Sequence, residues 1–159
     1  VNIGGIANLT LLPANARPAS GFDTGPGNVL LNASISKQRA QPFDHDGEWV
    51  ASGICCQPLF GQLLKQPYFR QPPPRSTGGE LFSLSWLKQA LALEFKNLPA
   101  SAVQATLAEL TAVTVVDALT QFASPVDELF VCGGAHNRFL MQRLAALLPA
   151  CGITTTEAL

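Results

Sequence analysis

The stretch Leu129-Phe-Val-Cys-Gly-Gly134 sets a short apolar run directly against a pair of glycines. A continuous apolar run of this length is the pattern of a strand covered on both faces. Asn137 stands where it can cap a helix running from Arg138 to Leu148. The β-branched run Ile153-Thr-Thr-Thr156 then reads as another strand. Strand, glycine turn, helix and strand in that order predict an α/β domain with a mixed sheet.

The rest of the chain extends that reading. Val1-Asn-Ile-Gly-Gly-Ile-Ala-Asn-Leu-Thr-Leu-Leu12 places two β-like runs on either side of a Gly-Gly turn, a hairpin signal. After a connection over 13–20, Ser20-Gly-Phe-Asp-Thr-Gly-Pro-Gly-Asn28 reads as a strand end entering a tight turn. The pattern from Val29 to Ile35 is helical, residues 41–53 are loop-like, and Pro58 to Leu64 is modestly amphipathic. Pro67, Pro72, Pro73 and Pro74 make 66–80 a long surface loop, which draws attention to Arg75 through Glu80. The clearest helix covers 101–122, with Ser101 and Gln104 spaced as a capping box and Val103, Leu107, Leu110, Val113 and Val116 on a broad apolar face.

Composition narrows the function classes. Of 159 residues, 47% are hydrophobic, enough for one domain with a full core. Ten basic and 11 acidic residues leave a net charge of -1, so there is no basic field for nucleic acid or an anionic membrane. Charged residues amount to 13%, well below the roughly 25% usual for soluble domains, which suggests a face covered by a missing partner. The adjacent Cys55 and Cys56 suit no ordinary disulfide, and Cys132 reads as a small core hydrophobe. All four cysteines, Cys151 included, are read as reduced thiols of a cytoplasmic protein. No signal peptide or membrane span is expected, since Gln104, Glu109 and Asp117 interrupt the longest apolar region. With Val1 already inside a strand-like run, the chain is expected to be part of a longer protein.

Three glycine-rich places offer chemistry. Gly4-Gly5 is either a simple hairpin turn or a place where backbone N–H groups approach a phosphate. Asp23, among Gly21, Gly25, Pro26 and Gly27, is either an Asx-turn residue or a general base held by a rigid loop. Gly133-Gly134, between strand and helix, can offer backbone to a nucleotide. Neither standard phosphate-loop motif occurs, which weakens both a classical dinucleotide enzyme and a P-loop kinase. Asp44-His-Asp-Gly-Glu48 reads as a solvated loop and not a metal site, and His136 as a surface histidine.

Taken together and in order, Val1–Asn8, Gly21–Asn28, Pro67–Phe69, Ser76–Gly78, Gln104–Ala112 and Val131–Gly134 resemble the anhydro-N-acetylmuramic acid kinases. The resemblance implies an actin-like ATPase (ribonuclease H-like) domain, the C-terminal nucleotide-binding half of a two-domain sugar kinase. The N-terminal half and the extreme C-terminus, with a further site glutamate, would be absent from these 159 residues. It also implies the activity: hydrolytic opening of 1,6-anhydro-N-acetylmuramic acid with ATP-dependent phosphorylation of O6. Asp23 is then the catalytic base. Gly4, Gly5, Asn8, Gly25, Gly133, Gly134 and Asn137 are the nucleotide-binding candidates, with ATP and Mg2+ as cofactors and no dedicated metal ligand in this chain. The implied partners are the sugar, ATP, the missing domain and, among the assemblies left open, a second copy. Ala135 departs from a third glycine usual in the family, and Gly79 from a frequent arginine. Another actin-like kinase, or a scaffold that kept the fold without catalysis, stands as the alternative.

Overall fold

The hairpin at the start of the chain organises the sheet. In the computed structural model, which describes residues 1–14, 17–92, 94–123 and 125–158, β1 (Asn2–Ile3) and β2 (Ile6–Leu11) turn about Gly4-Gly5. Asn15 and Ala16 of the expected connection lie outside the described residues. β3 (Ser20–Pro26) pairs antiparallel with β2. At the other end, β4 (Glu128–Val131) and β5 (Gly152–Thr155) pair in parallel. The two groups meet at β1: Ile3 N donates to Cys132 O at 2.9 Å and Cys132 N to Val1 O at 3.0 Å, with a parallel bridge between Asn2 and Cys132. The strands therefore follow one another as β3-β2-β1-β4-β5, with only β2 running against its neighbours.

Six helices accompany the strands among the described residues: α1 (Asn28–Arg39), α2 (Glu48–Ala51), α3 (Gln57–Leu63), α4 (Leu84–Leu91), α5 (Ala100–Phe122) and α6 (Arg138–Leu147). α5 is the core of the domain and packs on α1, α2, α3, α6, β2 and β3. By length and hydropathy it could cross a membrane, but 83% of its most apolar window is buried inside the protein. Its burial is not confined to one stripe, since Gln104, Thr106, Glu109, Thr111 and Thr114 are enclosed together with Leu107, Leu110 and Val115.

Several expectations from sequence change here. The strand expected to end near Asp23 runs on through Pro26, with Phe22 and Thr24 buried, and the tight turn into α1 is confined to Gly27. The capping box fails: α5 starts at Ala100 with Pro99 at its cap, so Gln104 rotates onto the buried face and its Nε2 donates to Leu31 O at 3.2 Å. β4 is covered on one face, with Leu129 and Val131 buried and Glu128 exposed, and Cys132 is only half-buried. Within 41–53, Asp44 accepts from Trp49 N at 3.0 Å and Val50 N at 2.8 Å, and so orders a 3-10 turn and α2. The proline-rich loop holds a 3-10 turn over Pro67–Arg70. The Asn137 cap forms as expected, its Oδ1 accepting from Leu140 N at 3.1 Å.

One buried hydroxyl of α5 ties the helix to the end of β3. Thr111 Oγ1 lies 3.0 Å from Pro26 O and 3.1 Å from Gly27 O, and also reaches Leu107 O one turn back at 3.2 Å. Substituting Thr111→Val keeps the shape but removes the single hydroxyl proton that these carbonyls share. That change is expected to cost about 1–3 kcal/mol, read as a lower urea midpoint with an unchanged denaturant slope.

Candidate active site

Strand pleating divides the residues of the hairpin sheet between two faces. The cross-strand row Ile3–Ala7–Gly25 points into the core, where Ile3 and Ala7 are buried. The row Asn2–Asn8–Asp23 lies on the opposite face, half-open to solvent. β3 carries a bulge at this point, since Ala7 pairs with Gly25 and Asn8 with Asp23, which leaves Thr24 as the extra residue. The Thr24 hydroxyl fills the gap with a bond to Ala7 O at 3.1 Å. A bulge re-aims its neighbours, here Asp23.

Asp23 is held by a distant part of the chain and not by its own turn. Its Oδ2 accepts from Ser76 Oγ and Thr77 N, both at 2.9 Å. Its backbone N donates to Arg75 O at 3.2 Å, and its carbonyl accepts from Arg75 Nε at 2.9 Å and Tyr68 Oη at 3.0 Å. The Asx-turn alternative is thereby excluded. Burial pushes the Tyr68 phenol up to about 12, against the weaker opposing pull of the Arg75 charge, so the phenol remains a donor near neutral pH.

The glycine turns converge on one junction. Gly4 O accepts from Asn28 N at 2.7 Å, and Gly5 O accepts from Gly27 N at 2.9 Å and Val29 N at 3.0 Å. The first amides of α1 are thus capped by the hairpin turn, which replaces the side-chain cap that Gly27 cannot provide. Asn28 Nδ2 adds a bond to Ile3 O at 2.8 Å. Gly133 and Gly134 press on the other side of β1. Gly133 has φ +74, and a Cβ on it would stand 2.6 Å from Asn2 Oδ1, whereas one on Gly134 would stand 2.9 Å from Ile3 Cγ2.

The sequence-selected residues therefore fall into groups. Gly4, Gly5, Gly133 and Gly134 gather around β1, and Asn8 and Asp23 share the polar row beside it. Gly25 lies on the core face under the Phe69 ring. Asn137 stands beyond the glycine pair with its oxygen engaged in capping α6. Among the described residues no cluster of His, Cys, Asp or Glu is arranged to hold a metal ion. His136 is exposed and 3.5 Å from Glu157. Sequence reasoning passed over Arg75 and Thr77 as holders of Asp23. The available signal was the length of the proline-rich loop and the Ser76-Thr-Gly78 run.

Comparison with known proteins bears on the same residues. A family model described as anhydro-N-acetylmuramic acid kinase matches residues 1–159. The chain belongs to this family. Relatives bearing that name include proteins of Shewanella sp. strain MR-4, at 52% identity over 160 residues, and Shewanella baltica strain OS185, at 51%. All of this chain aligns with each of them, and it spans 43% of their length.

The packing demands on two glycines of the junction differ. A Cβ on Gly27 would collide with Gly4 O, whereas one on exposed Gly5 would meet only Val29 Cβ at 3.9 Å. Gly27→Ala is expected to lower stability by about 1–3 kcal/mol, and Gly5→Ala to stay within about 0.5 kcal/mol. Thermal unfolding of the two variants side by side checks this contrast.

Proposed function

We propose that the chain is the C-terminal, nucleotide-facing part of an ATP-dependent kinase that opens 1,6-anhydro-N-acetylmuramic acid and phosphorylates O6. The observation that carries this reading is the Asp23 carboxylate, tied down through Oδ2 while Oδ1 meets no donor among the described residues. Family membership supplies the substrate class. The strand order β3-β2-β1-β4-β5 with one reversed strand supports an actin-like, ribonuclease H-like domain.

Asp23 in this scheme accepts a proton from a water that attacks the anomeric carbon. The bond from that carbon to O6 breaks as the new carbon–oxygen bond forms. O6, freed from the anhydro ring, takes the γ-phosphoryl group of ATP, ADP leaves, and the proton passes from Asp23 to solvent. Transfer of the phosphoryl group needs positioning and charge neutralisation more than covalent help from the protein. Gly5 fits a phosphate-facing role, because it is exposed and has open space where a side chain would stand. Gly133-Gly134 and Asn137 would border the adenosine, and Asn8 the phosphates. A divalent cation would enter with the nucleotide and neutralise phosphate charge.

Asp23→Asn in the full-length enzyme is expected to lower turnover by at least about 100-fold with ATP affinity and melting temperature little changed. Coupled ADP release and formation of the sugar 6-phosphate measure it. Near-normal turnover would overturn the assignment of Asp23. The 159-residue chain by itself should show negligible turnover, because misplacement of reacting groups by about 1 Å already costs on the order of 100-fold. Robust 6-phosphate production by the purified chain would contradict the two-part site.

A further inference from the structure

Arg75 is a buried cation that the proposed reaction leaves without a task. It is 9% exposed, and among the described residues no carboxylate lies within ion-pair distance of it. Two of its three guanidinium nitrogens reach carbonyls instead: Nε to Asp23 O at 2.9 Å, and Nη1 to Tyr68 O, Phe69 O and Gln71 O at 3.3, 3.2 and 2.7 Å. The rings of Phe22, Tyr68 and Phe122 surround it, with centroids 5.5, 5.2 and 5.6 Å from Cζ. Burying a cation in this way is costly unless every donor finds a partner, and lysine could not reproduce the planar fork.

What this expense secures is the register between β3 and the loop. Arg75 and Asp23 exchange hydrogen bonds, backbone N to backbone O in one direction and Nε to backbone O in the other. The next two residues then reach the carboxylate, Ser76 through its hydroxyl and Thr77 through its amide, and both choose Oδ2. Ser76 and Thr77 owe their place to the residue before them.

We propose that Arg75 and Ser76 are positioning residues for the Asp23 carboxylate: they commit Oδ2 to the protein, so that Oδ1 is the oxygen that takes the proton. The proposal rests on the reading of Asp23 as the base. Arg75 works through the backbone and touches no substrate. It fixes where the loop stands. Ser76 and the Thr77 amide fix the rotation of the carboxyl group about its last bond. Without them the two oxygens would exchange, and the productive orientation would be one among several.

The test uses the full-length enzyme and compares Ser76→Ala, Ser76→Thr, Arg75→Lys and Asp23→Asn. Ser76 is exposed, so its variants are expected to fold normally. Ser76→Ala should lower kcat by about 10-fold with the KM for ATP unchanged, and Ser76→Thr, which restores the hydroxyl, should recover most of it. Arg75→Lys keeps the charge but loses the fork, and should lower kcat more than Ser76→Ala does, at an ATP KM close to that of the parent. On an Asp23→Asn background, Ser76→Ala should have no further effect on kcat, because there is no longer a base to orient. Full activity of Ser76→Ala and Arg75→Lys alongside an inactive Asp23→Asn would overturn this proposal and leave Asp23 as the base. An active Asp23→Asn would remove the base reading itself. Equal loss in Ser76→Ala and Ser76→Thr would also count against the proposal, since it would show that the site responds to bulk and not to the hydroxyl.

Discussion

The capping of α1 by the Gly4-Gly5 turn is the contact on which the rest depends. Three backbone amides, from Gly27, Asn28 and Val29, end on two carbonyls of a turn more than 20 residues away. A helix start without a side-chain cap leaves several amides to be satisfied, and burying them unpaired would be expensive. The approach is possible only because Gly27 has no Cβ to strike Gly4 O. Once the turn is seated, the strand ends, the helix start and Thr111 of α5 are fixed relative to one another. The same bonds commit the amides of Gly27, Asn28 and Val29 to the fold and so withhold them from an anion.

The molecule keeps its polar groups in two regimes. Inside, α5 carries hydroxyls and a glutamate into the core and pairs them locally or across to the sheet. Glu109 receives Arg143 of α6 in a two-pronged ion pair, with one contact at 2.7 Å, and the bond raises the Arg143 guanidinium above its usual value. Thr106 accepts from Cys56 N at 2.9 Å and donates to Ala102 O at 2.7 Å. These groups hold helices together, and only the Arg143 end of the set is partly open to solvent. At the polar face of the sheet the balance is different, because among the described residues Asp23 keeps one oxygen unspent beside the half-open Asn8.

Local signals were legible where one residue settles a local geometry. The hairpin about Gly4-Gly5, the Asn137 cap and the length of α5 could all be read because propensity and fold agree there. Tertiary demands hid the others. Gln104 has the spacing of a capping box with Ser101, yet α5 is capped at Pro99 and starts at Ala100, which buries it. Arg75 sits in a run of prolines that reads as surface, and only the surrounding aromatic rings and carbonyls make its burial sensible. α4 went unread although Ser83 caps it through Trp86 N at 3.2 Å, because its eight residues are short for a periodicity argument. Asp23 is legible as a residue, but the partners that orient it lie more than 50 positions away, and nothing in the sequence around Asp23 points to them.

The alternation along β2 and β3 has a consequence for the history of such a chain. Asn8 and Asp23 occupy one face of the sheet, and Ala7, Leu9 and Phe22 the other. Core packing acts on the second set and is indifferent to much of what happens in the first, apart from the bonds that reach Asp23. Drift at the polar row can erase chemistry while the apolar row preserves shape, and the reverse order of loss is far less available. A lineage carrying this hairpin can thus shed its reaction and persist as a binding or assembly module, with the glycine junction intact as the record of its descent.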